Sequence, residues 1–215
     1  MRENKSNIKR IAVLLLAVML LIGCTIGGTL AWLSAQADKV ENTFTIGNIT
    51  IDLKEHELKT DGTLDLTKEV DKNSYKIVPG GKQPKDPFVT VKAGSENCYV
   101  YVLVTNNLAI DGTTVATLNI DIDTDDTDTD TATWEVVGSA SGNKTLYRYN
   151  AVVEASAIDQ PLQVFTEVAY ANSITEADFE KLTDKTIVIE AFAHQSDNTT
   201  QAIVDATAKA HFGIT

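Results

Sequence analysis

Beyond residue 40 the apolar positions of this chain recur every second residue, the period of a half-buried β-strand. The clearest case runs from Asn97 to Thr105, where Cys98, Val100, Val102 and Val104 alternate with Tyr99, Tyr101 and Leu103. Similar runs span Phe88 to Val91, Val115 to Ile122, Thr133 to Val137, Leu146 to Val153, Leu162 to Val168 and Thr186 to His194. Turn-forming residues separate them: Pro79-Gly80-Gly81, Ala93-Gly94-Ser95, Asp111-Gly112 and Ser141-Gly142-Asn143. Short strands at this spacing leave no room for helical crossovers between parallel strands. The pattern predicts an all-β fold, a jelly-roll-like antiparallel β-sandwich with one or two short helices.

The first strand changes phase. Phe44 and Ile46 share one parity, Ile49, Ile51 and Leu53 the other, and the switch falls at Gly47-Asn48. A bulge or bend there restores a common buried face. Two segments break the strand pattern. Thr175-Glu176-Ala177-Asp178 reads as a capped helix start, with Phe179 and Leu182 on one face. Residues Thr199 to His211 place Ala202, Ile203, Ala206 and Ala210 at helical spacing, closed by Gly213. No repeat or long linker divides the chain, so one domain is expected.

The N-terminus has the layout of a secretory signal peptide. Arg2, Lys5, Lys9 and Arg10 precede an uncharged apolar run from Ile11 to Ile22, followed by glycines and the small-residue site Thr29-Leu30-Ala31. The expected division is a signal peptide over residues 1–31, cut between Ala31 and Trp32, and a mature domain over residues 32–215. Leu21-Ile22-Gly23-Cys24 also reads as a lipobox, in which Cys24 becomes a lipidated first residue. The full 215-residue chain carries a net charge of −12. Removing residues 1–31 takes away four basic residues and one acid, leaving the mature chain at −15. Such a surface repels nucleic acid and anionic lipid, so a nucleic-acid partner is excluded and the membrane enters only through the signal peptide or a lipid anchor. Of the two cysteines only Cys98 survives the cut, and its strand parity makes it a small core residue.

Catalytic constellations are missing from the sequence. A zinc protease needs HExxH, but the mature chain has only His56, His194 and His211, and the position four after His56 is Thr60. No GxSxG elbow, P-loop or GxGxxG occurs, so no enzyme and no cofactor are expected. One ligand-like cluster remains, the aspartate run from Asp121 to Asp130. Asp121, Asp123 and Asp125 match the first half of a calcium loop, but position six is Asp126 instead of glycine and position twelve Ala132 instead of glutamate. The expected reading is a solvated loop, with those three aspartates as weak calcium candidates.

Gly27-Gly28-Thr29-Leu30-Ala31-Trp32-Leu33, followed by Asn42-Thr43-Phe44-Thr45-Ile46-Gly47, resembles the TasA/camelysin family, whose export signals are cut by a SipW-type peptidase. Val78-Pro79-Gly80-Gly81 with Lys85-Asp86-Pro87, and Ala191-Phe192-Ala193-His194-Gln195, resemble the family's turn before a core strand and its last strand. Trp32-Leu33-Ser34 departs from its usual aromatic-aromatic-acid start. The resemblance implies a secreted, biofilm-matrix or cell-surface protein that polymerises head-to-tail with copies of itself, and other matrix components as further partners. Residues 32–46, with Trp32, Leu33, Val40, Phe44 and Ile46, are then the donor strand. The alternative is a lipid-anchored surface binding module. Sequencing the exported protein's N-terminus is expected to read Trp32-Leu33-Ser34; a mature chain starting at diacylated Cys24 would refute the cleavage site and favour the alternative.

Overall fold

The computed structural model describes residues 9–19, 48–121 and 133–214. The chain divides into two compact units, Met1–Thr45 and Ile46–Thr215. Within the first, residues 9–19 form helix α1. No helix among the described residues is long and apolar enough to cross a membrane.

The second unit is built from antiparallel sheets. One has the order β11-β4-β1-β2, from Gln160–Gln163, Phe88–Val91, Ile51–Leu58 and Leu64–Val70. Another has the order β13-β5-β10-β9, from Ile187–Gln195, Cys98–Asn106, Lys144–Tyr149 and Trp134–Ala140. A three-stranded sheet, β3-β12-β8 (Lys82–Pro84, Glu167–Tyr170, Ala116–Leu118), and the hairpin of β6 (Ala109–Ile110) and β7 (Thr113–Thr114) complete it. The β6–β7 turn is Asp111-Gly112, whose φ of 46° and 84° give the two left-handed residues that a tight hairpin demands. One core lies between the two four-stranded sheets: Val89 and Val91 meet the Cys98–Val104 row, Trp134 and Tyr147. The fold is an all-β sandwich.

β5 behaves as its alternation predicts on one face and differently on the other. Tyr101 and Leu103 turn away from the sandwich core yet are as buried as the valines. Helix α3 (Gln201–Phe212) covers them, with Val204, Ala208 and Ile214 forming a second core against Tyr101, Leu103 and Leu146. Helical spacing predicts a buried face of Ala202, Ile203, Ala206 and Ala210; Ile203 is instead 59 % exposed. Apolar residues lie all round the helix, so periodicity cannot fix its rotation. A polar contact does. Asp205 accepts the Tyr101 hydroxyl at 2.7 Å and Arg148 Nη1 at 2.8 and 2.9 Å, while Arg148 also pairs with Glu135. Arg148 is 4 % exposed and sits on the helix-facing side of β10 beside Leu146. The helix does end at Gly213 in the left-handed conformation, as expected.

Other boundaries shift for identifiable reasons. The run Leu162 to Val168 is two strands, because β11 pairs with β4 and β12 with β3. Between β3 and β4 the chain turns at Lys85-Asp86-Pro87, and Pro87 has no N–H to continue a ladder. The run Val115 to Ile122 shrinks to β8, and Leu146 to Val153 ends at Tyr149, leaving Val153 a single bridge to Cys98. Leu64–Val70, an exposed and mostly polar edge strand, has no apolar alternation to announce it. Thr175 starts the short 3₁₀ turn Glu176–Asp178 and helix α2 (Phe179–Leu182), and its N–H donates to Asp178 Oδ2 at 3.0 Å. Leu182 is buried, while Phe179 on the same helix is 40 % exposed.

These helix contacts give a direct test. Val204→Ala is expected to cost about 2 kcal/mol by leaving a cavity against Tyr101 and Leu103, and Ile203→Ala less than about 0.5 kcal/mol. Urea denaturation of the two variants measures the difference; equal losses would mean that the helix is docked on another face.

Candidate functional site

The row Ile49, Ile51, Leu53 packs against the core, as their shared parity predicts, and the next residue of that parity is Glu55. Its side chain is therefore carried inward, and it is 5 % exposed. Lys85, 8 % exposed, pairs with it directly. Tyr75 donates its hydroxyl to Glu55 Oε2 at 3.2 Å, and Lys85 Nζ lies 5.0 Å from the Tyr75 ring centre. Burial, with the Glu55 carboxylate adding to it, pushes the Tyr75 phenol well above its ordinary range, so it stays a donor.

Beside this group, His56 Nδ1 lies 2.6 Å from Asp86 Oδ2, and its backbone N–H donates to Asp86 Oδ1 at 3.1 Å. Asn73 accepts from Leu58 N at 2.8 Å and donates to the His56 carbonyl at 2.8 Å. Asp86 and Asn73 thus serve the backbone of β1 beyond the end of β4. The polar cluster ties β1, the Lys85–Pro87 turn and the segment after β2 together.

That segment leaves an opening. β1 pairs with β4 from Ile51 to Lys54, but β2 reaches only as far as Val70 opposite Glu55. Thr50 accepts from Lys92 and His56 donates to Asp86, so the even-numbered residues turn their backbone groups to the β4 side. In an antiparallel ladder the alternate residues turn the other way, and at Ile51 and Leu53 no strand among the described residues meets them. β13 is the edge of its own sheet. Its even residues face β5, as Asn107 to Thr186 and Ser196 to Asn97 bonds show at each end. Ile187, Ile189, Ala191 and Ala193 therefore present their amides outward, again with no paired strand among the described residues.

The two open edges border one groove of about 850 Å³. Leu53, Lys54 and Glu55 line it from β1, and Thr186 to Ile189 from the start of β13. Ile77, Leu108, Val168, Tyr170 and Leu182 supply apolar walls, and Phe179, 40 % exposed, and Val188, 41 % exposed, stand at the mouth. Lys54 bonds Asp71 at 2.5 Å, and that bond holds its ammonium above the usual lysine range. Compared with family models, with curated proteins and with solved structures, the chain matches none.

The expected site residues fall unevenly against this groove. Ala31, Trp32, Leu33, Val40, Phe44 and Ile46, and the phase switch at Gly47, lie outside the described residues, as do Asp123 and Asp125. Asp121 is described and is engaged: its Oδ2 accepts from the Thr133 N–H at 3.2 Å and hydroxyl at 3.1 Å. Among the described residues no group of three or more His, Cys, Asp or Glu could hold a metal. Cys98 is fully buried, and burial pushes its thiol up to about 11. His194 and His211 both stand against Phe192, with ring centres 6.3 and 4.6 Å away. Sequence reasoning misses the Glu55–Lys85 pair and the groove. The sequence does hold one signal for the pair, since Glu55 continues the core-facing parity of Ile49, Ile51 and Leu53.

Removing one partner of a buried pair strands the other. Lys85→Met is expected to destabilise the fold by roughly 3–5 kcal/mol, and the double variant Lys85→Met/Glu55→Leu to recover most of that. Denaturant titration decides: a double variant no better than the single would show that the two residues are not energetically coupled.

Proposed function

We propose that this protein is an exported structural subunit, cut between Ala31 and Trp32, which assembles head-to-tail into extracellular fibres of a biofilm matrix or cell surface. The observation that carries the reading is the groove between two unpaired strand edges, at Ile51 and Leu53 of β1 and at Ile187 and Ile189 of β13. An unpaired edge leaves backbone donors and acceptors unsatisfied and invites another strand. An apolar groove flanked by two such edges suits an extended segment whose alternate side chains point inward. Residues 32–46 supply Val40, Phe44 and Ile46 at even spacing, so one subunit's leading segment completes the next subunit's sandwich. A head-to-tail contact of this kind does not close on itself and propagates as a fibre. The jelly-roll connectivity, the lack of enzymatic activity and the kinship with the TasA/camelysin family belong to this same reading.

A second reading rests on Leu21-Ile22-Gly23-Cys24. Lipidation at Cys24 would keep the domain at the membrane, and the groove would then hold a ligand instead of a strand.

Electron microscopy of the mature chain beside a version starting at Thr43 tests the proposal. Fibres are expected from the first and not from the second. Fibres from both, or from neither across salt and pH, would rule out strand donation by residues 32–46.

A further inference from the structure

Among the described residues, one lysine amine and one carboxylate are sealed together away from water. The side chains of Lys85 and Glu55 are only 10 % and 6 % exposed, whereas in every other lysine–carboxylate pair the lysine side chain is at least 28 % exposed. Lys85 Nζ meets Glu55 Oε2 directly, and the Tyr75 hydroxyl donates to that same oxygen at 3.2 Å. The Tyr75 ring covers the amine, its centre 5.0 Å from Nζ. The two partners come from separate elements, Glu55 from β1 and Lys85 from the turn before β4. Arg148 is as deeply buried between Glu135 and Asp205, but a guanidinium stays protonated and is no nucleophile.

We propose that Lys85 and Glu55 are the site of a covalent modification, an amide bond between Nζ and Cδ that forms within the folded chain. The ion pair of the freshly folded protein is the reactant. A proton passes from Nζ to Oε2, and the nitrogen lone pair attacks Cδ. The Cδ–Oε2 bond then breaks with its electron pair on oxygen, Oε2 takes a second proton from Nζ, and one water leaves. The three protons of the ammonium become two on that water and one on the amide nitrogen, so no oxidant or other co-reactant is needed. Tyr75 donates to Oε2, the leaving oxygen, and assists its departure. In open water the two charges are well solvated and hydrolysis wins. Burial removes both that solvation and the reagent that would reverse the step. Contact between amine and carboxyl inside one fold makes the reaction effectively unimolecular. The product ties residue 55 to residue 85, which restricts the unfolded chain as a disulfide does and pins one end of the groove. It requires no fibre, so it goes beyond the assembly reading and stands apart from it.

The test is the mass of the mature chain, kept folded at neutral pH and then fully denatured for measurement. The expected mass is one water below that of the sequence. Trypsin is expected to leave the bond after Lys85 uncut and to release residues 55–59 joined to residues 83–92. The same chain held in urea is expected to keep its full mass, because the pair is then apart. Lys85→Arg and Glu55→Ala are each expected to keep the full mass, and Tyr75→Phe to lose the water severalfold more slowly. A full sequence mass after prolonged incubation of the unaltered folded chain would overturn the proposal. So would a water lost elsewhere, such as through a succinimide at Asp111-Gly112, or one still lost by Lys85→Arg. The measurement on the unaltered chain needs no variant to fold, and it reads the same whether or not the protein forms fibres.

Discussion

Strand β5 lies between β13 and β10 and is buried on both faces, and that double burial sets the architecture around it. Its valine row demands an apolar sheet opposite, which β4, β1 and β11 provide through Val89, Val91, Ile51, Leu53 and Leu162. Its aromatic row demands a second cover, and α3 provides it. Neither face of the strand tolerates water, because Tyr101 and Leu103 carry as much apolar surface as the valines behind them. The hydroxyl of Tyr101 is delivered into that second core, and Asp205 receives it. Burial, with the bond to Asp205 adding to it, pushes the Tyr101 phenol far above its ordinary range. Arg148 then balances the aspartate, so one satisfied polar network fixes how the helix is rotated.

The other side of the sandwich is left unfinished. β2 diverges from β1 after pairing at Glu55, and the following residues return as a wall of the groove through Tyr75 and Ile77. A hydrophobic floor is thereby left beside two rows of unmatched backbone groups, in a place where a folded domain would normally pair or cover them. The buried Glu55–Lys85 pair stands at the end of that floor. A charge pair there is costly to desolvate, and its mutual attraction offsets that cost only while both partners are present. The groove is thus bordered by the Glu55–Lys85–Tyr75 contacts and lined by apolar side chains. Open backbone groups and apolar side chains line the same groove.

Much of the sandwich was legible because strand parity is a local property. Alternation located the buried row of β5, the ends of β4 and most of β13, and it placed Cys98 in the core. The site was less legible for two separate reasons. Residues of the groove come from Leu53, Tyr75, Lys85, Leu182 and Ile187, which are far apart in sequence and individually ordinary. Lysines at 72, 76 and 185 look like common surface charges until the fold gathers them around one opening. Asp121 shows the converse case. Its spacing makes it a calcium candidate, but its Oδ2 accepts from both the N–H and the hydroxyl of Thr133.

From the sequence alone came the strand content, the turns at glycines, the acid excess and the core position of Cys98. All of these depend on nearest neighbours, on composition or on a period of two, and local sterics and solvation settle them without reference to the rest of the chain. The tertiary structure alone decided which face α3 buries, since a helix apolar all round is turned by a long-range contact with Tyr101 and Arg148. It alone decided that Leu162 to Val168 divides between two sheets, because Pro87 interrupts the strand alongside. It alone decided where backbone groups go unpaired, since pairing is a relation between distant segments and no residue carries it individually.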